Sequence, residues 1–240
     1  MGNNGACSSL CSKKNPRGDP NFKIQKSDFK FHHAIGRGGF GKVWKVEKEG
    51  EMYAMKEMLK ARVSAKKSIE SVMMELDLMC LIDSDFIVNV HYAFHDQDYL
   101  YLVMDLMEGG DLRYHHSKIR KFPPECTQLF IACLVQALEA CHEQGIIHRD
   151  VKPENLVFDK RGYLRLTDFG IAREWTPDNN TENSGTPGYM APEVMFKQNH
   201  GIAVDYFAVG VIAYECMIGK RPYLGRSRKE IRDAILNKQA

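Results

Sequence analysis

The residues best suited to chemistry lie between positions 148 and 170. Asp150 is a carboxylate that can accept a proton from an attacking hydroxyl, and Lys152 can place a positive charge beside a phosphoryl group in transfer. Asn155 and Asp168 supply oxygen atoms, which are the ligands that Mg²⁺ prefers. A charged surface loop would explain any one of these residues, but not all of them in this order. The segment therefore predicts phosphoryl transfer.

Two short apolar runs surround these groups, at residues 156–158 and 164–166, with a turn at 160–162 between them. Short apolar runs on either side of a glycine-containing turn predict a β-hairpin. Such a hairpin would hold the polar groups on a rigid support.

A glycine-rich segment follows the first predicted strand, which spans residues 29–35, and contains Gly36, Gly38 and Gly41. This glycine spacing also occurs in dinucleotide-binding folds, where a helix follows the glycines. Residues 42–48 instead alternate between apolar and polar, which predicts a second strand. Glycines without side chains let the backbone come close to a ligand, so this strand–turn–strand flap could cover phosphates.

Lys56 lies on a third predicted strand, at residues 52–58, and Glu75 lies in a helix predicted over residues 64–82. The helical spacing puts Glu75 between Val72 and Met79 on the apolar face. An acid on an apolar face needs a compensating partner, and we predict that Lys56 supplies it. The alternative is a boundary glutamate that pairs with any surface lysine.

These motifs together resemble those of eukaryotic protein kinases. The residues at 148–150, 168–170 and 191–193 match the His-Arg-Asp, Asp-Phe-Gly and Ala-Pro-Glu elements of the kinase signature, and Lys56 matches its strand lysine. The resemblance covers residues 29–240. It implies an α+β fold with two lobes: a five-stranded antiparallel sheet with one main helix, and a mainly helical lobe. The implied divisions are a tail at 1–28 and lobes at 29–107 and 108–240.

The resemblance implies a serine/threonine kinase that transfers the γ-phosphoryl group of ATP to a protein hydroxyl with Mg²⁺. Asp150 would orient and deprotonate that hydroxyl, and Lys152 would stabilise the transferred charge. Thr186 would hydrogen-bond near both, a combination that marks serine/threonine specificity. Asn155 and Asp168 would hold the metal. The residues implied to bind ATP are Ile35, Gly36, Gly38, Gly41, Val43, Ala54, Lys56, Glu75, Met104, Asp105, Met107, Asp111 and Val157.

The polar stretch at 172–193 corresponds to the activation segment of kinases, since a long loop in a compact domain is usually functional. Glu182 occupies the position of the usual regulatory threonine, and Thr181 precedes it. Either Glu182 partly replaces a phosphate, or Thr181 is phosphorylated. By the same resemblance, Asp205 is expected to accept hydrogen bonds from the backbone near Arg149.

Asp111, Glu154 and Glu215 match acidic positions that face upstream arginines in basophilic kinases of the AGC group. The resemblance therefore implies substrates with Arg or Lys before the target residue. Each of the three is alternatively an ordinary surface acid, and Asp111 is alternatively a ribose ligand. Residues 109–115 and 219–223 most resemble the YANK branch near the AGC group.

Kinase domains of this kind usually continue with further helices, which carry an arginine that pairs with the residue matching Glu193. The sequence does not clearly supply this arginine, so we expect a fragment or a short second lobe. Lower stability than that of a longer chain is the expected consequence.

The first residues approximate a signal for myristoylation at Gly2, although Ala6 stands where Ser or Thr is usual. A single acyl chain binds membranes only marginally, so Cys7 and Cys11 are candidates for palmitoylation beside a basic cluster. We therefore expect peripheral attachment to the cytoplasmic face of a membrane. The alternative is a polar tail without a function.

The composition restricts the partners and the cellular setting of the protein. A net charge of +2 argues against nucleic acid as the main partner, and seven scattered cysteines without zinc-type spacing favour a reducing, cytoplasmic setting. A monomer is expected. The rival hypotheses are a pseudokinase without turnover and a lipid-anchored scaffold. Inactive kinases usually lack Lys56, Asp150 or Asp168, and this chain retains all three.

Overall fold

The computed structural model describes residues 11–12, 24–37, 41–65, 69–181 and 184–237. They belong to two compact units: the first lies within residues 1–83 and 88–107, and the second within 84–87 and 108–240. Four residues with predicted roles, Gly2, Cys7, Gly38 and Glu182, lie outside the described parts.

An antiparallel sheet forms the first unit, with spatial order β1-β5-β6-β4-β3-β2. Its strands are β1 (Cys11–Ser12), β2 (Lys30–Arg37), β3 (Gly41–Lys48), β4 (Glu51–Leu59), β5 (Val90–His95) and β6 (Tyr99–Asp105). The five strands β2–β6 confirm the predicted sheet. The two-residue edge strand β1 was not predicted, because it lies in a polar tail without apolar alternation.

Aromatic side chains fill the core on one face of this sheet. Phe29, Tyr53, Tyr92, Phe94 and Tyr101 are all buried in a single cluster. The rings of Phe94 and Tyr101 stack with their centroids 4.9 Å apart. Each buried aromatic residue removes about 150–250 Å² from water, so this cluster fixes which face of the sheet is covered.

The first unit also contains α1 (Lys60–Ala65) and α2 (Ile69–Leu81). The prediction of one helix over residues 64–82 was therefore wrong at its start, since α1 continues directly from β4. Val72 and Met79, which were predicted to lie on the apolar face, are buried, as is Leu76, whereas Ile69 is exposed. The apolar spacing identified the buried face of α2 correctly, except in its first turn.

Helices dominate the second unit: α3 (Leu112–Ile119), α4 (Pro124–Glu143), α5 (Pro192–Met195), α6 (Ala203–Ile218) and α7 (Arg228–Asn237). Local signals set their ends. Gly219 adopts a left-handed φ of 85° after α6, and Ser227 Oγ accepts the backbone N–H of Glu230 at the start of α7. No helix in the described ranges has the length and apolar character needed to span a bilayer.

The core of the second unit lies between α4 and α6, where Leu134, Ala137, Leu138 and Cys141 are fully buried. Burial raises the pKa values of the Cys141 and Cys216 thiols, that of Cys216 to about 12. Both thiols therefore stay protonated and pack as small apolar groups.

Short strands complete the second unit: β7 (Ile146–Ile147), β8 (Leu156–Phe158), β9 (Leu164–Leu166) and β10 (Arg173–Glu174). Strands β8 and β9 pair in register, Leu156 with Leu166, which confirms the predicted hairpin. Strand β10 pairs with β7 and lies inside the segment predicted as loop. A two-residue strand leaves no periodicity in the sequence.

Candidate active site

The loop after β7 is held by a buried carboxylate. Asp205, at the start of α6, accepts the backbone N–H groups of His148 (2.9 Å) and Arg149 (2.8 Å), as expected. His142 Nε2 lies 2.9 Å from the same carboxylate. Arg149 has a left-handed φ of 65°, a conformation that costs a non-glycine residue about 1–3 kcal/mol and persists where surrounding contacts enforce it.

Asp150 lies at the centre of a polar cluster. Thr186 Oγ1 donates to Asp150 Oδ1 (2.7 Å), and Lys152 Nζ lies 2.5 Å from Oδ2 and 3.1 Å from Thr186 Oγ1. Asn155 Nδ2 donates to the Asp150 backbone carbonyl (2.9 Å). The predicted contacts of Thr186 with Asp150 and Lys152 are thus confirmed. One oxygen of the Asp150 carboxylate already accepts a hydrogen bond from a hydroxyl group.

The hairpin brings Asn155 and Asp168 to the same end of the paired strands β8 and β9. Asn155 directly precedes β8, and the Thr167 N–H donates to the Asn155 carbonyl (3.0 Å), so the following residue, Asp168, lies beside it. The Asn155 amide nitrogen is directed to Asp150. An amide oxygen and a carboxylate are suitable ligands for Mg²⁺, which keeps several other oxygen ligands.

A complete protein cage for a metal is not formed by the described residues, which include no cluster of three or more His, Cys, Asp or Glu side chains. Asp168 also has a left-handed φ of 66°, and its Oδ1 accepts the Gly170 N–H (3.3 Å). Backbone strain at a polar residue of this kind is typical of functional sites.

His148 contacts the backbone at Asp150 and at Thr167, the residue before Asp168. The Asp150 N–H points at His148 Nδ1 (3.3 Å), and His148 Nε2 lies 3.2 Å from the Thr167 carbonyl. These partners require a neutral ring that carries its proton on Nε2. Complete burial lowers the pKa of His148, in agreement with that state. Its ring packs edge-on against Phe169, with centroids 4.9 Å apart.

The segment at 185–189, which contains Thr186, is fixed by contacts with Arg221. Gly188 has a φ of 94°, and a Cβ atom there would lie 2.2 Å from Arg221 Nη1. Arg221 Nη1 donates to the Pro187 carbonyl (3.1 Å), and its guanidinium packs over the Tyr189 ring at 5.6 Å. Glycine at position 188 therefore lets Arg221 fix this segment. Sequence reasoning did not identify Arg221.

A second residue that sequence reasoning missed is Arg113. Its Nε donates to Glu154 Oε1 and its Nη1 to Glu215 Oε1, both at 2.9 Å. Tyr189 Oη bonds to both Arg113 and Glu215. Burial and the bond to Glu215 raise the pKa of Tyr189 far above its ordinary value. Two of the three acids predicted to face substrate are thus bound by the chain's own cation.

The third acid, Asp111, caps α3, because its Oδ1 accepts the Tyr114 N–H (2.7 Å). Val157 lies opposite Asp111 in an isolated β-bridge. Gly109 packs closely against the hairpin: a Cβ atom there would lie 2.6 Å from Phe158 Cβ, and its N–H donates to the Phe158 carbonyl. The lack of a side chain at Gly109 therefore allows this close packing.

In the first unit, Lys56 Nζ donates to Glu75 Oε1 at 2.9 Å, which confirms the predicted pair. The lysine lies on β4 and the glutamate on α2, and both side chains are largely buried. The pairing of charge lowers the cost of burying it.

The strands place several of the residues predicted to bind ATP. Val43 lies opposite Lys56, and Ala54 lies opposite Met104. Ile35 and Gly36 lie near the end of β2, and Met107 follows β6. The Asp105 N–H already donates to the Asn89 carbonyl (3.1 Å), and its carboxylate contacts His91 Nε2.

The two described glycines of the flap differ in their surroundings. A Cβ atom at Gly41 would lie 1.8 Å from the Glu57 carbonyl oxygen, so strand packing alone requires glycine there. At Gly36 the closest atom would be 3.7 Å away, an ordinary contact. Packing within the unit therefore does not explain Gly36, whose phosphate-covering role stays a prediction.

Comparison with known proteins gives one family signature, the protein kinase domain, which matches residues 29–240. A probable serine/threonine-protein kinase of Dictyostelium discoideum is 41% identical over 221 residues, covering 90% of this chain and 48% of that protein. An Arabidopsis thaliana serine/threonine-protein kinase, AtPK1/AtPK6, is 40% identical over 206 residues, which cover 84% of this chain and 44% of the Arabidopsis protein. Human ribosomal protein S6 kinase alpha-1 is 38% identical over 221 residues, which cover 89% of this chain and 30% of the human protein. The chain thus spans half or less of the length of these relatives.

Proposed function

The chain belongs to the protein kinase domain family, and we propose that it transfers the γ-phosphoryl group of ATP to a serine or threonine hydroxyl of a protein substrate. The observation that carries the proposal is the cluster of Asp150, Lys152 and Thr186, joined by hydrogen bonds of 2.5–3.1 Å. The relatives named as serine/threonine kinases support the same substrate class.

Asp150 would act on the substrate hydroxyl. The hydroxyl of Thr186 donates to Asp150 Oδ1 in the way that a substrate hydroxyl would, so the carboxylate is oriented to accept a proton. Lys152 Nζ lies 2.5 Å from the other carboxylate oxygen and fixes the orientation of the Asp150 side chain. The same lysine can stabilise charge on the transferred group, so most of the catalysis comes from positioning and electrostatics.

Lys56, held by Glu75, would contact the phosphates of ATP, and Asn155 and Asp168 would hold Mg²⁺. A bound Mg²⁺ supplies neutralisation of phosphate charge. Asp205 accepts the backbone N–H groups of His148 and Arg149, and these bonds hold the strained backbone of Arg149 in one geometry before substrate arrives.

The direct test is incorporation of radiolabel from γ-labelled ATP into a serine peptide. The wild-type chain should label the peptide, and Asp150→Asn and Asp168→Asn should lower the rate by at least about a hundredfold, the usual contribution of a positioned acid–base group. Asp178→Asn, at an exposed position of the same unit, is the matched control. Equal background labelling by all four proteins would instead favour the pseudokinase or scaffold hypothesis.

We further propose that the chain is a member of the YANK branch near the AGC group, and that its substrates carry Arg or Lys before the target residue. The acids that support this specificity are Asp111, Glu154 and Glu215. Since Arg113 binds two of them, a substrate arginine would have to displace it. A positional peptide array without any preference for basic residues before the target would contradict the specificity.

A membrane attachment is the last part of the proposal, with the chain on the cytoplasmic face. It is supported by the sequence around Gly2, Cys7 and Cys11. Gly2→Ala should move the protein from the membrane fraction to the soluble fraction in cells. Unchanged partitioning, checked against the control Asn3→Ala, would remove this part and leave the kinase proposal intact.

A further inference from the structure

A concentration of positive charge lies on α7 and the residues before it. Residues 220–233 contain six Lys or Arg and two acids, a net charge of +4, whereas the whole chain carries +2. The remainder of the chain is therefore net negative. A local concentration of one charge sign attracts ligands of the opposite sign.

A cavity of about 290 Å³ lies against this segment, inside the second unit. Its lining combines apolar and cationic side chains: Met190, Met195, Arg228, Lys229 and Arg232. Arg228 and Lys229 are exposed, so their charges are accessible from solvent. Such a lining suits a side chain with an aliphatic stem and an anionic end.

The acids of α7 do not neutralise the cavity fully. The Glu230 carboxylate accepts the Arg226 backbone N–H (2.8 Å) at the helix start, and Asp233 Oδ1 lies 3.7 Å from Arg232 Nε. That Nε atom is buried and makes no hydrogen bond within the described residues. The Arg232 guanidinium packs over the Phe196 ring at 5.7 Å. A buried donor without a hydrogen bond costs free energy that an anionic ligand would recover.

The cavity lies close to the catalytic cluster along the chain. Thr186 contacts Asp150, and Met190, four residues later, lines the cavity. Four residues span at most about 14 Å when fully extended. The backbone between them is fixed by Arg221. A peptide that presents its hydroxyl to Asp150 would therefore have its neighbouring residues within reach of the cavity.

We propose that this cavity binds an anionic side chain of the protein substrate, within four residues after the target serine or threonine. The inference rests on the proposed kinase function. The guanidinium fork of arginine matches carboxylate and phosphate groups, and arginine clusters are a recurrent means of reading acidic and phosphorylated motifs. The kinase resemblance implies the direction, because residues 186–189 (Thr-Pro-Gly-Tyr) resemble the kinase segment that holds the residue after the target.

The experiment compares kcat/KM for serine peptides that carry Ala, Glu, phosphoserine or Lys at each position from −4 to +4. Glu or phosphoserine at one or more positions after the target should exceed Ala by about tenfold, the effect of one charge-assisted hydrogen bond. The two anions distinguish an acidic from a primed substrate. Lys at the same position should fall below Ala.

Variants locate the effect. Arg228→Gln and Arg232→Gln should bring the ratio of the anionic to the Ala peptide toward one, and Lys229→Glu should make Lys the preferred residue. Arg226→Gln is the matched control, because Arg226 is exposed on the same segment but does not line the cavity. A misfolded protein cannot gain a preference for Lys, so the charge reversal separates recognition from stability.

The outcomes are distinguishable. If the wild-type chain phosphorylates the Ala peptide and shows no preference for anions after the target, the inference is overturned while the proposed function stands. If Arg228→Gln weakens binding to phosphatidylserine vesicles without changing the peptide ratio, the surface binds lipid and the inference is equally overturned. If the wild-type chain phosphorylates none of the peptides, the proposed function fails as well.

Discussion

Replacement of Asp205 by alanine should destabilise the second unit and inactivate the loop. The carboxylate accepts two buried backbone N–H groups, those of His148 and Arg149, at 2.9 and 2.8 Å. A buried donor left without a partner costs about 1–3 kcal/mol, so Asp205→Ala should lower the free energy of unfolding by about 2–6 kcal/mol. Asp205→Asn keeps one acceptor oxygen and should lose about half of that.

The two tryptophans of the chain allow this prediction to be measured in one unit. Trp44 lies in the first unit and Trp175 in the second, where its Nε1 donates to the His200 carbonyl (3.2 Å). In a Trp44→Phe background, fluorescence during urea unfolding reports the second unit alone. This matters because a chain of two units need not unfold in a single step.

The control for Asp205→Ala is Asp178→Asn, an exposed substitution in the same unit, which should change the free energy of unfolding by about 0.5 kcal/mol or less. Labelling of the peptide should fall with Asp205→Ala, because Asp150 follows the two residues that lose their acceptor. A folded variant within about 1 kcal/mol of wild type would refute the reasoning, since that loss is below the cost of two unpaired donors.

Three further predictions concern other contacts. Arg113→Ala removes the internal cation that binds Glu215. The variant should therefore prefer a peptide with an arginine before the target over the same peptide with alanine there, by a kcat/KM ratio about tenfold larger than that of the wild type. An unchanged ratio would show that these acids do not contact the substrate. Burial lowers the pKa of His148 below 6.5, so the unfolded chain binds a proton at this histidine more readily than the folded chain does. The free energy of unfolding should therefore fall as the pH decreases below about 6.5. In urea titrations, His148→Gln should lack this pH-dependent part of the stability. Gly109→Ala should cost about 1–3 kcal/mol of stability by overpacking against Phe158, whereas Gly110→Ala tests only backbone strain; an unaffected melting temperature for Gly109→Ala would contradict the close packing.

Local pairing made much of the catalytic half predictable. The hairpin of residues 156–166 has two apolar runs and a glycine turn between them, so its register follows from residues close in sequence. Asn155 and Asp168 flank that hairpin, and their proximity follows from the same pairing. The ion pair of Lys56 and Glu75 was predictable because an acid on the apolar face of α2 requires a partner.

Contacts between distant residues were not predictable in the same way. Arg113 and Glu215 are 102 residues apart, and Arg221 and Pro187 are 34 apart. Each basic residue lies in a segment that contains other charged residues, so its sequence context does not distinguish a surface cation from a structural one. Only the packing of α3 against the later segments decides which carboxylate an arginine meets.

The glycines show why a residue type can be predicted to matter for the wrong reason. Gly41 and Gly109 both lack space for a Cβ atom, the first against the Glu57 carbonyl and the second against Phe158. Their absence of side chains serves packing inside one unit, which no spacing rule reports. Among the described residues Gly36 has ordinary space around it, so a side-chain clash does not explain glycine there, and the strand register shifts between Ala34 and Gly36. The phosphate-covering hypothesis therefore depends most on Gly36, and alanine at that position should weaken ATP binding without lowering the stability of the sheet.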